Sequence, residues 1–393
     1  MLSNLWRFFV ALCDLRALAR ILTGRPAIDV VFITNLRDEA ERRRYFRGWV
    51  PPLGHAAGPR MYLKGVAARV RGIYVTAEEM LTKEGRKKAK QQFIAATEWA
   101  ERRGARVILL AASTKRLFGR DGAELKKRFP HLLFTIGDNG TAQMLRADVF
   151  RALKESRLKP GCAKVLVIGP YGILGSCMTR ELVRAGYEVI GYGHNESALA
   201  EVAGEFGIRT ANNIDAVGKV DAVVACTHST PSKLTPQCVA KLRQGQRKLL
   251  VVDVSEPANL DIDAYATCRN DVVRQDAGNA FAPDLHYVLG PISWKMIMLS
   301  KGTVFGCFAE AMALFHSIHH NGEVALAERD WFQVDSDGME TLEALFADIG
   351  FTVPYPRCFG RPVLGFDLSL ERQAEFQVRG ISTPNVLPQP GLD

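Results

Sequence analysis

Residues 165–176 read VLVIGPYGILGS, an apolar run that breaks into glycines at 169, 172 and 175. The run has the β-branched density of a buried parallel strand, and the residues after Gly172 begin a helical pattern. Strand, glycine turn and helix in that order form a phosphate-binding context. Glycines let the backbone turn sharply and approach a pyrophosphate, whose charge then faces a helix N-terminus. Gly169, Tyr171, Gly172, Ile173, Leu174 and Gly175 are therefore the candidate pyrophosphate loop. The spacing is GxxGxxG, and four further apolar runs follow at 187–193, 221–227, 248–254 and 271–277, most of them separated by helical segments. That pattern predicts a doubly wound dinucleotide-binding sheet.

The second run ends in GYGHNES (191–197). It offers no acidic residue where an NAD enzyme would hold the ribose 2′-hydroxyl. His194, Asn195 and Ser197 are instead placed to hydrogen-bond a 2′-phosphate, which favours NADPH, although the usual arginine is missing. Thr227 and Gly278, at the ends of later strands, are expected to border the same cofactor.

The first half shows the same alternation with different partners. Strands are predicted at 29–35, 71–76, 106–112 and 132–136, helices at 83–104 and 141–155, and a loop at WVPPLGHAAGP (49–59). LKPGCA (158–163) marks the domain boundary. The fold class expected is α/β with two domains: an N-terminal α/β substrate domain and a C-terminal Rossmann-like, doubly wound parallel sheet that binds NAD(P). The division expected is an amphipathic helix at 1–27, the substrate domain at 28–157, the nucleotide domain at 158–304, a helical return at 305–357 and a mobile tail at 358–393. There are no repeats.

Charge is unevenly placed. Residues 1–160 hold 32 Lys/Arg against 15 Asp/Glu, a balance of +17, and the rest hold 19 against 27, or −8, which together give the +9 of the chain. A basic first half fits either an anionic partner or solvated helix faces. Eight cysteines without CxxC pairs or metal-type spacing to histidine are expected to be reduced thiols of a cytoplasmic protein, with no metal site. In MLSNLWRFFVALCDLRALARIL the apolar run is too short to span a bilayer and too charged for a signal peptide. Its helical spacing leaves two readings for residues 2–22, a helix docked on the protein or a peripheral membrane contact.

VFGCFAEAM (304–312) places Cys307 at a predicted helix start. A free thiol of pKa ~8.5 is only slightly ionised at neutral pH, and a helix N-terminus lowers that by about one unit at most. On those grounds Cys307 is either core filler or a nucleophile that needs a cation. The histidines of HSIHH (316–320) lie roughly 14–20 Å along a continuous helix, too far to help. Lys115, Lys295 and Lys301 are better placed. TIGDNGTAQ (135–143) and AASTKRL (111–117) also follow strands, and read either as plain turns capped by Asp138 or Asn139 or as parts of a site.

Taken together, GDNGTA, GPYGILG and CFAEAM resemble, in the same order, the GNTHTA-like, GATGDIG-like and FACFAEAM segments of the cyanobacterial long-chain fatty acyl–acyl-carrier-protein reductases. The likeness runs from about Ile28 to Val353, with RGIYVTAEEM, Ser113–Thr114 and Trp294 of ISWKMI in register; CFAEAM is its specific element. The resemblance implies that Cys307 accepts an acyl group from a carrier thioester and that NADPH reduces it to an aldehyde. Thiolate attack and a hydrogen-bonded oxyanion then require donors, for which Ser113, Thr114, Thr141 and backbone amides at the Cys307 helix start are candidates. Implied partners are an acyl carrier protein or coenzyme A thioester and an aldehyde-consuming enzyme; no nucleic-acid role is expected. The chain departs from the family at His194 (arginine there), Gly140 (histidine there) and CTHST (226–230), which introduces His228.

Two alternatives remain open. One is a non-covalent NADP dehydrogenase of shikimate-dehydrogenase architecture, acting on a hydroxy acid or ketone with Lys115 and Asp138 as acid–base groups. The other is an NADP-binding scaffold without turnover.

Overall fold

The apolar runs do become strands, and they assemble into two separate sheets whose carboxyl ends face a common cleft. The computed structural model describes residues 2–227 and 229–369, without the side chains of residues 2–4 and 7. Two helices, α1 (Leu2–Cys13) and α2 (Leu15–Leu22), precede the first domain. That domain comprises β1 (Val30–Leu36), α3 (Glu39–Phe46), β2 (His55–Leu63), β3 (Val66–Thr76), α4 (Lys83–Glu101), β4 (Val107–Leu110), α5 (Ala123–Arg128), β5 (Leu133–Thr135) and α6 (Asp138–Glu155). The second comprises β6 (Lys164–Ile168), α7 (Ile173–Arg184), β7 (Glu188–Tyr192), α8 (Glu196–Phe206), β8 (Arg209–Ala211), β9 (Ala222–Ala225), α9 (Pro236–Leu242), β10 (Leu249–Asp253), α10 (Ile262–Cys268) and β11 (Val272–Asp276). The chain then returns through β12 (Asn279–Phe281), β13 (His286–Tyr287), α11 (Pro291–Met296), β14 (Thr303–Phe305), α12 (Gly306–His319) and α13 (Ser336–Ile349). It closes on a short hairpin, β15 (Arg357–Cys358) and β16 (Arg361–Pro362).

The second sheet has the order β8-β7-β6-β9-β10-β11, parallel throughout. This is the doubly wound arrangement, and its switch point lies between β6 and β9. The edge strand β8 escapes sequence reading because it is three residues long and half exposed. The first sheet runs β13-β2-β3-β1-β4-β5, parallel from β3 to β5 and antiparallel at β2 and β13. Both sheets confirm the two-domain α/β class.

Three boundaries differ from expectation. The predicted loop at 49–59 gives way at His55 to β2, whose Gly58 and Pro59 fall at a register shift against β3, where a missing N–H costs no ladder bond. The return to the first domain begins before residue 305, since β13 already adds to the first sheet beside β2. Residues 358–369 do not form a mobile tail. Phe366 and Leu368 are buried in the core of the second domain, and Leu368 accepts a backbone hydrogen bond from Lys248. Residues 370–393 lie outside the described residues.

α12 explains how one chain closes both domains. It is buried over 11 of its 14 residues, as a helix enclosed by other elements must be, and Glu310 is among them. Phe308 stacks on Phe32 of β1 with ring centroids 4.1 Å apart, and α6 and α13 pack on its other faces. α1 behaves in the opposite way. Of the two readings for residues 2–22, only α2 docks: buried Asp14 caps it and accepts from Tyr62 Oη at 2.6 Å and Arg60 at 2.8 Å. α1 leaves its large apolar side chains in solvent.

Candidate functional site

At the switch point Gly169 takes φ +78°, and a Cβ there would lie 2.9 Å from Thr227 Cβ. A Cβ on Gly175 would fall 2.0 Å from the Gly169 carbonyl oxygen. Both glycines are thus required for this loop to close on itself and on the end of β9. Gly172 N-caps α7 without a side-chain cap, which leaves the start of that helix to backbone groups alone. Ile173 lies exposed beside it and Leu174 turns into the second-domain core. The residues fit a dinucleotide pyrophosphate: Gly172 carries no side chain at the uncapped start of α7, so its backbone can be approached closely.

Tyr171 crosses the tip of β7. Its ring covers Gly193, and its hydroxyl accepts from the His194 backbone N–H at 3.2 Å. His194 and Ser197 are exposed, whereas Asn195 uses its side-chain oxygen to cap α8 through Ala198 N–H. Glu196, passed over in the sequence reading, accepts from Asn212 at 2.5 Å. Thr227 Oγ1 accepts from Ser229 N–H, and its carbonyl receives Ser255 and Asn259. His228 lies outside the described residues. Buried Asp253 gathers this edge, accepting from Ser255, Asn259 and Leu260 backbone N–H groups and from Arg274 at 3.0 Å.

Across the cleft the starts of α6 and α12 meet. Gly137, at φ +72°, lies so close that a Cβ on it would be 2.2 Å from Cys307 Cβ. Gly140 is equally constrained, with a hypothetical Cβ 2.6 Å from the Gly306 carbonyl and 2.8 Å from Glu310 Cβ. A side chain at position 140 has no room at this close approach of the two helices. Gly306 N–H donates to the Gly278 carbonyl at 2.9 Å, and Gly278 N–H donates to buried Asp148 at 3.0 Å. Gly278 therefore carries the end of β11 to within reach of Thr141 and Cys307.

Cys307 is partly exposed and stands in the first turn of α12, which has no side-chain cap. Burial among low-dielectric groups pushes its thiol up to about 12, opposed by Lys115 and reinforced by Asp138 and Glu310. Lys115 makes an ion pair with Asp138; burial works against its charge, but that carboxylate outweighs it and keeps the ammonium protonated. Of the three lysines considered from sequence, Lys115 therefore supplies the cation; Lys295 lies against Trp294 instead. HSIHH is engaged elsewhere, with His316 paired to Asp348 at 3.1 Å.

The remaining candidates separate. Ser113 is half-buried, its N–H held by Asn35 Oδ1 at 2.9 Å. Thr114 is fully buried, and its hydroxyl donates to the Ala111 and Ile33 carbonyls. Thr141 donates to the Gly137 carbonyl at 3.0 Å. Asp138 opens α6 after Gly137, so neither Asp138 nor Asn139 caps it.

The residue that sequence reading missed is Glu310. It is buried, accepts from Gly140 N–H at 2.6 Å and from the Thr135 hydroxyl, and burial raises it to about 7. The i,i+3 spacing from Cys307 puts the two on one helix face, but the partners that bury Glu310 come from β5 and α6. A groove of about 470 Å³ lies apart from this cluster, beside Arg151, Phe281, Tyr355 and Phe366. All eight cysteines are free. Among the described residues no helix is long and apolar enough to cross a membrane.

No protein-family model matches the chain. No curated protein matches it either. Among solved structures it is similar to L-tryptophan dehydrogenase from Nostoc punctiforme, at 13% identity and TM-score 0.35, over 81% of this chain and 90% of that one. It is also similar to a dipicolinate synthase from Bacillus halodurans, at 12% and 0.31, over 61% and 87%. Acetophenone reductase from Geotrichum candidum, in complex with NAD, matches at 19% and 0.27 over 35% of this chain and 38% of that one. Likenesses this distant carry no argument about chemistry, which rests on the site itself.

Proposed function

We propose that the chain is a nicotinamide-dependent oxidoreductase that reduces an acyl thioester to an aldehyde through an acyl-Cys307 intermediate. The observation that carries this reading is the placement of Cys307, at an uncapped helix start, beside Lys115 and against the Gly278 turn of the nucleotide domain. Gly169, Gly172 and Gly175 would hold the pyrophosphate of a reduced dinucleotide, which would supply the hydride for the acyl carbon. NADPH is the form assigned, from the exposed His194 just beyond β7 and the exposed Ser197 in the first turn of α8.

The chain's own groups do the rest. At a pKa of about 12 the resting thiol is almost wholly protonated at neutral pH, so attack must be coupled to proton removal. Lys115 provides the counter-charge for the thiolate. Glu310, titrating near 7 one turn along, is assigned as the proton acceptor. Cys307 Sγ bonds to the acyl carbon, the carrier C–S bond breaks, and the carrier leaves as a thiol with that proton. After reduction the carbon–Cys307 bond breaks with its electron pair left on sulfur, the aldehyde departs, and the Cys307 thiolate regains a proton from solvent. Backbone N–H groups at the start of α12 face the carbonyl oxygen through both steps.

The Lys115–Asp138 pair supports a second reading, a non-covalent dehydrogenase in which this pair moves the proton of a hydroxy acid or ketone. Steady-state assays separate the two. With long-chain acyl carrier protein or acyl coenzyme A, one aldehyde should appear per NADPH oxidised, and thiol alkylation should abolish it. Turnover of hydroxy acids that survives alkylation, with no response to any thioester, would establish the second reading instead.

A further inference from the structure

The N-terminal helices lie outside the family-like region and outside the cleft, yet they carry the largest concentration of exposed apolar side chains in the described chain. Leu5, Phe8, Phe9, Leu12, Leu15 and Leu22 are each more than half exposed. They recur at helical spacing across α1 and α2, and Trp6 stacks on Phe9 beside them with centroids 5.7 Å apart. Contiguous apolar surface of this kind marks an interaction site.

Charge identifies the occupant. The lone acidic residue of positions 2–22, Asp14, is buried and neutralised by Arg60. The surface around α2 is cationic. Arg16 lies over the Tyr62 ring, Arg69 and Arg103 both lie over the Trp99 ring, and Arg102 is exposed next to Arg103. Arg60 and Arg103 crowd Arg69 closely enough that, after burial, they lower its proton affinity.

We propose that α1 and α2 dock the protein on the surface of an anionic phospholipid bilayer, with the apolar face of the helices in the acyl boundary and the arginine belt on the phosphates. Aromatic and leucine side chains on one side with arginines on the other are the composition of an interfacial helix. A second copy fits less well, because pairing this face with itself would set two arginine belts together. No described helix can span the bilayer, so the contact is peripheral. Asp14 has a part in this arrangement: by holding α2 to Arg60 and Tyr62 it fixes the direction in which α1 leaves the body.

Vesicle binding is independent of the reaction proposed above and needs no turnover to be measured. The full chain should co-sediment with phosphatidylcholine vesicles containing phosphatidylglycerol, and should bind pure phosphatidylcholine at least about tenfold more weakly, the effect of losing one or two surface cation contacts. Raising salt should release it. Phe8→Ser/Phe9→Ser/Leu12→Ser should abolish sedimentation, and Arg102→Gln/Arg103→Gln should weaken it roughly tenfold, both at unchanged melting temperature. Failure to bind anionic vesicles would overturn the proposal, as would binding unaffected by the triple substitution. A concentration-dependent dimer lost in the triple variant, without vesicle binding, would assign the face to a second copy and likewise overturn it.

Discussion

Two helix starts border the cleft, and their surroundings make them chemically unlike. Both α7 and α12 begin without a side-chain cap, and both carry a positive dipole end. At α7 the glycines at 169, 172 and 175 leave the backbone open to close approach, which suits a phosphate that arrives already charged. At α12 the helix start is pressed against Gly137 and Gly140, and carboxylates of Asp138 and Glu310 stand nearby. There the dipole is outweighed by desolvation, and the thiol is raised instead of lowered. A helix N-terminus is thus a permissive feature, and the neighbouring packing decides whether it stabilises an anion.

The largest effect should come from the α12 side. Cys307→Ser should reduce thioester-dependent NADPH oxidation by about 10⁴-fold or more while nucleotide binding, followed by fluorescence, stays unchanged. On the α7 side, Gly175→Ala forces a Cβ into the Gly169 carbonyl and should weaken NADPH binding about 10- to 100-fold, from strain of about 1–3 kcal/mol, with acylation of Cys307 preserved. If either variant lost both functions together, the two helix starts would not be separable units.

Lys115→Met removes the cation that holds the thiol down. Alkylation of Cys307, followed by peptide mapping across stepped pH, should slow about tenfold and its rise should move to higher pH. Glu310→Gln tests the carboxylate. Because folding raises the Glu310 pKa from 4.5 to about 7, its stabilising contribution is present below the lower value and is lost as pH rises through the upper one. The melting temperature of the Gln variant should therefore gain on the wild type between about pH 5 and about pH 8. Glu256→Gln is the mildest: the Arg37–Glu256 pair joins the two domains across the cleft mouth at 2.5 Å but is half exposed, so its loss should cost about 0.2–1 kcal/mol in denaturant melts.

The same contrast explains what was legible in the sequence. The α7 start could be read because strand, glycines and helix are adjacent in the chain, and one physical requirement, close backbone approach, shows directly as missing Cβ atoms. The α12 site is assembled from segments near 115, 137, 278 and 307, whose proximity depends on the return of the chain through β13 and α12. Sequence singled out Cys307 and nominated Lys115 among several cations, but the thiol's suppression by burial was invisible without its neighbours. Glu310 was overlooked because nothing in its spacing shows that Thr135 and Gly140 will hold it in the core. The tail from 358 to 369 looked featureless for a similar reason: its anchors, Phe366 and Leu368, meet a core formed far upstream.

The central claim is that the suppressed thiol at the α12 start nevertheless becomes acylated. Incubation of the full chain with a long-chain acyl thioester in the absence of NADPH, followed by intact-mass and peptide analysis, tests it most directly. One acyl group per chain on Cys307, discharged as aldehyde when NADPH is added, is the predicted result. An unmodified Cys307 in an enzyme that still turns over thioester, or an adduct that NADPH leaves in place, would contradict it.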